Sequence, residues 1–282
     1  MKILLTGASG FIGNALRKAW VNQYDLYAPN HSELDLLEMS SVESYLRMNS
    51  FDVVVHAANT NNVVHPELAD NLLDYNLRMF CNLERCHDLY GKMLYFGSGA
   101  EYDMNHYVPK MKESYFGKHI PVDSYGFSKY IMSKITERKE NIYNFRLFGV
   151  YGCGEEWRRR FISNMIYQAF TCSEMKMDRN RLFDYLYIDD LVNAIVSILT
   201  CTPKHHHYNL CSGRVVSLYE LAEMVKEVTG TNAKIVVDRM GWKPEYSGDN
   251  SLFENEFGEL HISSMRETVR YMVDYYRNNG FN

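Results

Sequence analysis

Long hydrophobic runs are missing from this 282-residue sequence, and nothing in it approaches membrane-spanning length. A basic residue follows Met1, but the apolar stretch after Lys2 stops at Thr6-Gly7. That is too short for a secretory h-region, so the expected location is the cytoplasm, with no membrane partner. The six cysteines (81, 86, 153, 172, 201 and 211) form no C-x-x-C and no zinc-finger spacing. Reduced, mostly buried thiols are the plain reading. Clustered positive charge is lacking too: the formal net charge is −5, the pI is near 6.1, and lysines and arginines are dispersed. Nucleic acid is therefore not an expected partner. Low-complexity segments and internal repeats are absent. The closest approach to a metal tract is His205-His206-His207, but consecutive residues on an extended segment point to alternate faces and do not converge on one ion. No metal site is expected.

What the sequence does contain is alternation. Short apolar runs at 2–6, 25–28, 53–56, 93–96 and 143–147 read as strands. Helical patterns at 12–22, 67–90 and from about 125 lie between them, and Ser40…Glu43 has capping-box spacing for a further short helix. This order predicts an α/β fold with a parallel sheet wound on both sides, Rossmann-like in the first 150 residues. Beyond residue 150, helices at 161–170, 189–199, 218–229 and 263–277 alternate with short strands near 185–188, 207–210 and 234–237. Ser217…Glu220 and Ser264…Glu267 are further capping boxes, and 240–250 reads as a loop over a cleft. The predicted layout is a dinucleotide-binding domain at 1–150, which also receives part of 180–210, followed by a smaller α/β substrate-binding lobe at 151–282.

The first strand runs into Thr6-Gly7-Ala8-Ser9-Gly10-Phe11-Ile12-Gly13, which opens the first helix. Glycines at such a turn admit close approach of a pyrophosphate and close helix–strand packing, and the helix N-terminus offers free N–H groups to phosphate. The spacing is G-x-x-G-x-x-G. Together with ELDL (33–36), VVVHAAN (53–59), Asn76, YGFSK (125–129), RLFGVYG (146–152), YLYIDDLVNAI (185–195) and GWKPEY (241–246), it resembles the extended short-chain dehydrogenase/reductase superfamily, the NAD-dependent epimerase/dehydratase group, nearly end to end. The resemblance implies a nicotinamide dinucleotide held by Gly7, Ser9, Gly10, Phe11, Ile12, Gly13, Asp35, Leu36, Ala57, Ala58, Asn59, Asn76, Phe148, Tyr125 and Lys129. It also implies a nucleotide-sugar substrate and a homodimer formed through the helices at 67–90 and 125–139.

Tyr125 and Lys129 lie four apart, hence on one helix face. An ammonium beside a phenol favours the phenolate, and a phenol so tuned can exchange the alcohol proton while hydride moves. The resemblance also gives Lys129 the nicotinamide ribose, and makes Ser98, four residues before Tyr102, the hydroxyl that orients the substrate oxygen. Relatives that dehydrate sugars carry Asp-Glu directly after that hydroxyl; here the positions are Gly99 and Ala100. Glu101 comes one place too late, and in an extended segment its side chain should point away. GDP-fucose synthase-like members use a cysteine two residues after the serine and a distant histidine; those positions are Ala100 and, approximately, Arg160. What remains is redox at one carbon. The leading reading is a 4-ketoreductase in the style of dTDP-4-dehydrorhamnose reductase. A 4-epimerase with tightly bound NAD and a non-catalytic dinucleotide sensor stay open.

Two positions depart from the family: Gly149 stands where many members have an asparagine touching substrate, and Phe183 where an arginine usually precedes the acidic residue. Arg160 is the candidate for pairing phosphate oxygens. The stretch after the second strand, 28–31, carries neither acid nor arginine, and no lysine or arginine occurs between Lys18 and Arg47. This leans the cofactor toward NAD(H) over NADP(H).

Overall fold

The computed structural model describes residues 1–60 and 71–281. Residues 67–70 of the expected third helix therefore lie outside the described residues. In chain order the elements are β1 (Lys2–Thr6), α1 (Phe11–Trp20), β2 (Asp25–Tyr27), α2 (Met39–Asn49), β3 (Phe51–His56), α3 (Leu72–Arg85), β4 (Tyr90–Ser98), α4 (Ser124–Thr136) and β5 (Ile142–Leu147). There follow β6 (Val150–Tyr151), α5 (Phe161–Thr171), β7 (Glu174–Met177), β8 (Leu182–Asp184), β9 (Leu186–Tyr187), α6 (Ile188–Leu199) and β10 (His207–Leu210). The chain closes with β11 (Val215–Ser217), α7 (Leu218–Thr229), β12 (Lys234–Val237), α8 (Ser251–Phe257) and α9 (Met265–Asn279).

Six strands form one parallel sheet in the order β10-β5-β4-β3-β1-β2. Successive side chains of a strand leave opposite faces, and β1 shows it. Ile3 and Leu5 enter a core with Leu16 and Trp20 of α1 and Leu191, Ile195 and Ile198 of α6. Leu4 enters a second core with Val42 and Leu46 of α2, Phe80 and Leu83 of α3 and Met132 of α4. Burial on both faces explains why the strands read as apolar runs and not as alternations. Strand order reverses at β1, whose neighbours β2 and β3 are reached by crossovers in opposite directions. Ligands of open α/β sheets bind beyond the carboxyl ends of the strands at such a point. The second half of the chain adds three two-stranded sheets, β8 with β11, β7 with β12 and β6 with β9. Among the described residues no helix is long and apolar enough to cross a membrane.

Two of the three expected capping boxes do not form. Before α2 the cap position falls on Glu38 with no side-chain bond, and the Ser41 hydroxyl accepts the Asp35 N–H instead (3.1 Å). Ser264 precedes α9 without a side-chain bond either. Ser217 and Glu220 do close reciprocally over α7, at 3.1 and 2.9 Å.

Candidate active site

Gly7, between β1 and α1, has φ +72°, and a Cβ there would lie 2.5 Å from the Ala58 nitrogen. A Cβ on Gly13 would lie 2.1 Å from the Gly7 carbonyl oxygen. The two glycines thus draw α1, β1 and the 57–58 segment together, while Ser9 and Gly10 stay exposed at the first turn of α1. An open helix N-terminus pressed against the sheet edge suits a dinucleotide pyrophosphate. Asn76 is buried and holds the chain after β3 through both polar atoms. Its Oδ1 accepts the Thr60 N–H (2.8 Å) and its Nδ2 donates to the Thr60 carbonyl (2.9 Å). Asn59 itself is exposed. On the other side of the loop, Asp35 accepts the Leu37 N–H (2.9 Å), while the Leu36 side chain packs into the second core. Phe148, expected beside the cofactor, has no exposed surface. Its ring fills an aromatic cluster with Tyr102, Tyr107 and Tyr246.

Ser98 ends β4 and Tyr125 stands in the first turn of α4, whose N-terminus is capped by Asp123 accepting the Gly126 N–H (2.8 Å). The Ser98 hydroxyl lies near the Tyr125 phenol. Lys129, one turn on, is buried; its Nζ donates to the Phe96 carbonyl (2.9 Å) and lies 5.9 Å from the centre of the Tyr125 ring. Burial lowers the Lys129 ammonium to about 8, with Glu101 opposing. Burial also raises the Tyr125 phenol, and the groups that pull it back down are Ser98 first and Arg160 second. Desolvation dominates, and the expected lowering by Lys129 is not among the leading effects on the phenol. Beneath them His56, bonded to the Thr6 hydroxyl (2.8 Å), is pushed to about 3 by burial and by Lys129, so it stays neutral.

The segment after Ser98 is a single helical turn, Gly99–Tyr102, and not extended as expected. Glu101 nevertheless faces away from Tyr125, for a different reason. Its carboxylate turns back to accept the Ser98 N–H (3.0 Å) and pairs with Arg146 Nε at 2.6 Å, both side chains fully buried. Asn144 donates to it as well.

Beside this constellation a cleft is lined by Gly149, Arg159, Arg160, Arg181, Phe183, Tyr185 and Lys243, with Glu155 at its wall. Two sequence candidates, Gly149 and Arg160, meet there. Arg181, Lys243, Tyr185 and Glu155 were missed. Arg181, Phe183 and Tyr185 alternate along and beside β8, and that period of two was the available signal. The guanidinium of Arg181 sits 5.7 Å from the ring centres of both Phe183 and Tyr246. A cation therefore reaches the cleft although Phe183 occupies the family's usual arginine position. Glu155 is 5% exposed; one oxygen accepts the Ser163 hydroxyl (2.6 Å), the other has no partner, and burial raises the carboxyl to about 7.

Residues 3–211 match the model of the NAD dependent epimerase/dehydratase family. The chain belongs to that family. It is an enzyme of the extended short-chain dehydrogenase/reductase type. Among relatives of this epimerase/dehydratase chain, a GDP-L-colitose synthase of Yersinia pseudotuberculosis is 24% identical over 99% of this chain and 98% of its own. A GDP-6-deoxy-D-talose 4-dehydrogenase of Aggregatibacter actinomycetemcomitans is 26% identical over 96% and 97%. The solved structure of a GDP-mannoheptose C4 reductase from Campylobacter jejuni with NADP bound superposes with a TM-score of 0.82, at 20% identity, covering 98% of each chain. At that identity the likeness shows the shared fold.

Proposed function

We propose that this enzyme is a nicotinamide-dependent 4-ketoreductase of a nucleotide-activated sugar. The observation that carries the reading is the convergence of Ser98, Tyr125 and Lys129 beside a basic, aromatic cleft, with no proton carrier at Gly99 or Ala100 and with Glu101 tied to Arg146. Arg160, Arg181 and Lys243 are the groups for the diphosphate oxygens, and Phe183 and Tyr185 offer flat apolar faces. The relatives' names point the same way, to GDP-linked sugars and to carbon 4.

The glycine cradle and the open α1 terminus fit a dinucleotide, which when bound supplies the hydride. Ser98 hydrogen-bonds the ketone oxygen and Tyr125 gives it a proton. A phenol whose ordinary pKa is raised by burial is in the acid form that ketone reduction requires. Lys129 replaces that proton's charge balance in the phenolate form and holds the ribose. NAD(H) is favoured over NADP(H), because no lysine or arginine occurs between Lys18 and Arg47 to meet a 2′-phosphate.

The test is absorbance at the reduced-nicotinamide band with GDP-, dTDP- and UDP-linked 4-keto-6-deoxyhexoses, NADH and NADPH run side by side. Stoichiometric loss of NADH is expected, with Tyr125→Phe slowing kcat by about 10²-fold or more. Interconversion of C4 epimers without net cofactor consumption would replace the reductase reading with a 4-epimerase.

A further inference from the structure

Lys129 carries an ammonium into a place where little offsets the loss of water. The side chain is buried, at 3% exposure, and a buried ion needs partners that replace its hydration. The carboxylate that opposes its desolvation, Glu101, is already engaged by Arg146 at 2.6 Å. Arg146 itself, delivered by β5, carries the same sign as Lys129. His56 on β3 is neutral and supplies no counter-charge, and Tyr125 on α4 is a protonated phenol. Among the described residues the Lys129 nitrogen makes one hydrogen bond, to the Phe96 carbonyl at 2.9 Å. It also lies over two aromatic rings, with the Tyr95 centre at 4.8 Å and the Tyr125 centre at 5.9 Å. An aromatic face is partly negative and attracts a cation within about 6 Å, most strongly where water is excluded.

Tyr95 and Phe96 are neighbours in β4, so one strand supplies both close contacts. Their side chains leave opposite faces of the sheet: Phe96 enters the first core and Tyr95 the second. The Tyr95 ring is fixed there by Phe80 of α3, edge-on at 4.9 Å, and by His56, stacked at 5.9 Å. His56 is in turn held by the Thr6 hydroxyl at 2.8 Å. The Tyr95 hydroxyl, by contrast, is buried with no hydrogen-bond partner. An oxygen that bonds nothing offers no contact to offset its own desolvation. The face of the ring, and not its hydroxyl, is what Tyr95 offers to Lys129.

We propose that Tyr95 is a positioning residue for the reduction: its ring face holds the Lys129 ammonium, charged and in place, beside Tyr125. No proton moves through Tyr95 in this scheme. The inference rests on the assignment of Tyr125 and Lys129 to the ketone reduction.

The test compares Tyr95→Phe, which keeps the face, with Tyr95→Leu, which removes it. With the 4-keto-6-deoxyhexose nucleotide that the wild type reduces best, Tyr95→Phe should keep kcat within about twofold at every pH. In Tyr95→Leu the high-pH limb of kcat should move down by about one pH unit, because the ammonium titrates earlier. Starting from about 8, that shift lowers kcat about fivefold at pH 8 and less than about twofold at pH 6.5. Ring-fluorinated phenylalanines placed at position 95 keep the packing and drain the negative face, so the limb should fall stepwise with each fluorine. Adding Tyr95→Leu to Lys129→Met should cost nothing further. An unmoved limb in Tyr95→Leu, a loss equal at all pH values, or a flat fluorine series each overturns the proposal. The titration of Lys129 itself, by NMR of protein carrying isotope-labelled lysine and assigned through Lys129→Met, reads the same downward shift without substrate. Full activity in Lys129→Met and Tyr125→Phe would instead overturn the assignment beneath it, and the NMR titration would still decide the part played by the ring.

Discussion

Replacing Glu101 by glutamine separates a structural carboxylate from a catalytic one. The side chain is fully buried and accepts from Ser98 N–H, Asn144 and Arg146, the last at 2.6 Å from an equally buried guanidinium. Glutamine can keep one acceptor for Ser98, but it sets an amide N–H₂ against Arg146 or Asn144, both of them donors. The guanidinium is then buried without its counter-charge, a loss of about 3–5 kcal/mol for pairs of this kind. At about 2–4 °C per kcal/mol for a chain of this size, the melting temperature should drop by roughly 10 °C. Arg146→Met should cost a similar amount, because it strands the carboxylate instead. The double variant should be better than the sum by about 2 kcal/mol or more, since it removes both charges together. The assay is thermal and urea unfolding of the four proteins, with kcat measured well below each melting point. A Glu101→Gln protein that melts normally yet loses turnover would refute the reasoning and make Glu101 the acid or base of a different reaction.

Two further perturbations probe the cradle and the cleft. Gly13→Ala puts a Cβ 2.1 Å from the Gly7 carbonyl oxygen, so the loop must shift; NADH affinity by fluorescence titration should fall at least tenfold, with a loss of about 1–3 kcal/mol in stability, and unchanged affinity would separate the loop from the cofactor. Glu155, raised to about 7 by burial, binds its proton more tightly folded than unfolded, so its contribution to stability declines as pH rises from about 4.5 through 7. Glu155→Gln should therefore gain up to about 3 kcal/mol at pH 8 and little at pH 5, and equal melting shifts at the two pH values would contradict the burial argument.

The parallel sheet was legible because both of its faces are covered: apolar runs such as 53–56 needed no pattern beyond their length and the helices between them. Ser98, Tyr125 and Lys129 were legible for a related reason, since β4 and α4 are regular elements and spacing along a regular element fixes direction. Caps were harder. Ser40…Glu43 and Ser217…Glu220 have the same spacing, yet only the second closes, because α2 begins at Met39 with Glu38 at its cap, which leaves Ser40 inside the helix. The fate of Glu101 depended on Arg146 and Asn144, which β5 delivers and no local pattern announces. Lys243 reaches the cleft from irregular chain, where neither a period of two nor one of 3.6 sets a direction, and Arg181 comes from beside β8, whose brief period of two is the one signal there. Phe148 lies one place past a sheet strand, where a side chain can face either the cleft or the interior, and the residues among which its ring is buried, Tyr102, Tyr107 and Tyr246, come from elsewhere in the chain.

The strand at the edge of the large sheet, β10, is drawn from residues 207–210 and pairs with β5 at 142–147. A ribosome that has delivered β5 must therefore make some sixty more residues, through α5 and α6, before the nascent sheet acquires its last strand. Until then the open side of β5 presents unpaired N–H and C=O groups on an apolar strand, the surface most prone to pair with another chain. A fragment cut at residue 150 would keep that edge for good. The sheet begun by the first half of the chain is thus not finished when that half is, and its protection from mispairing during synthesis depends on the half that follows.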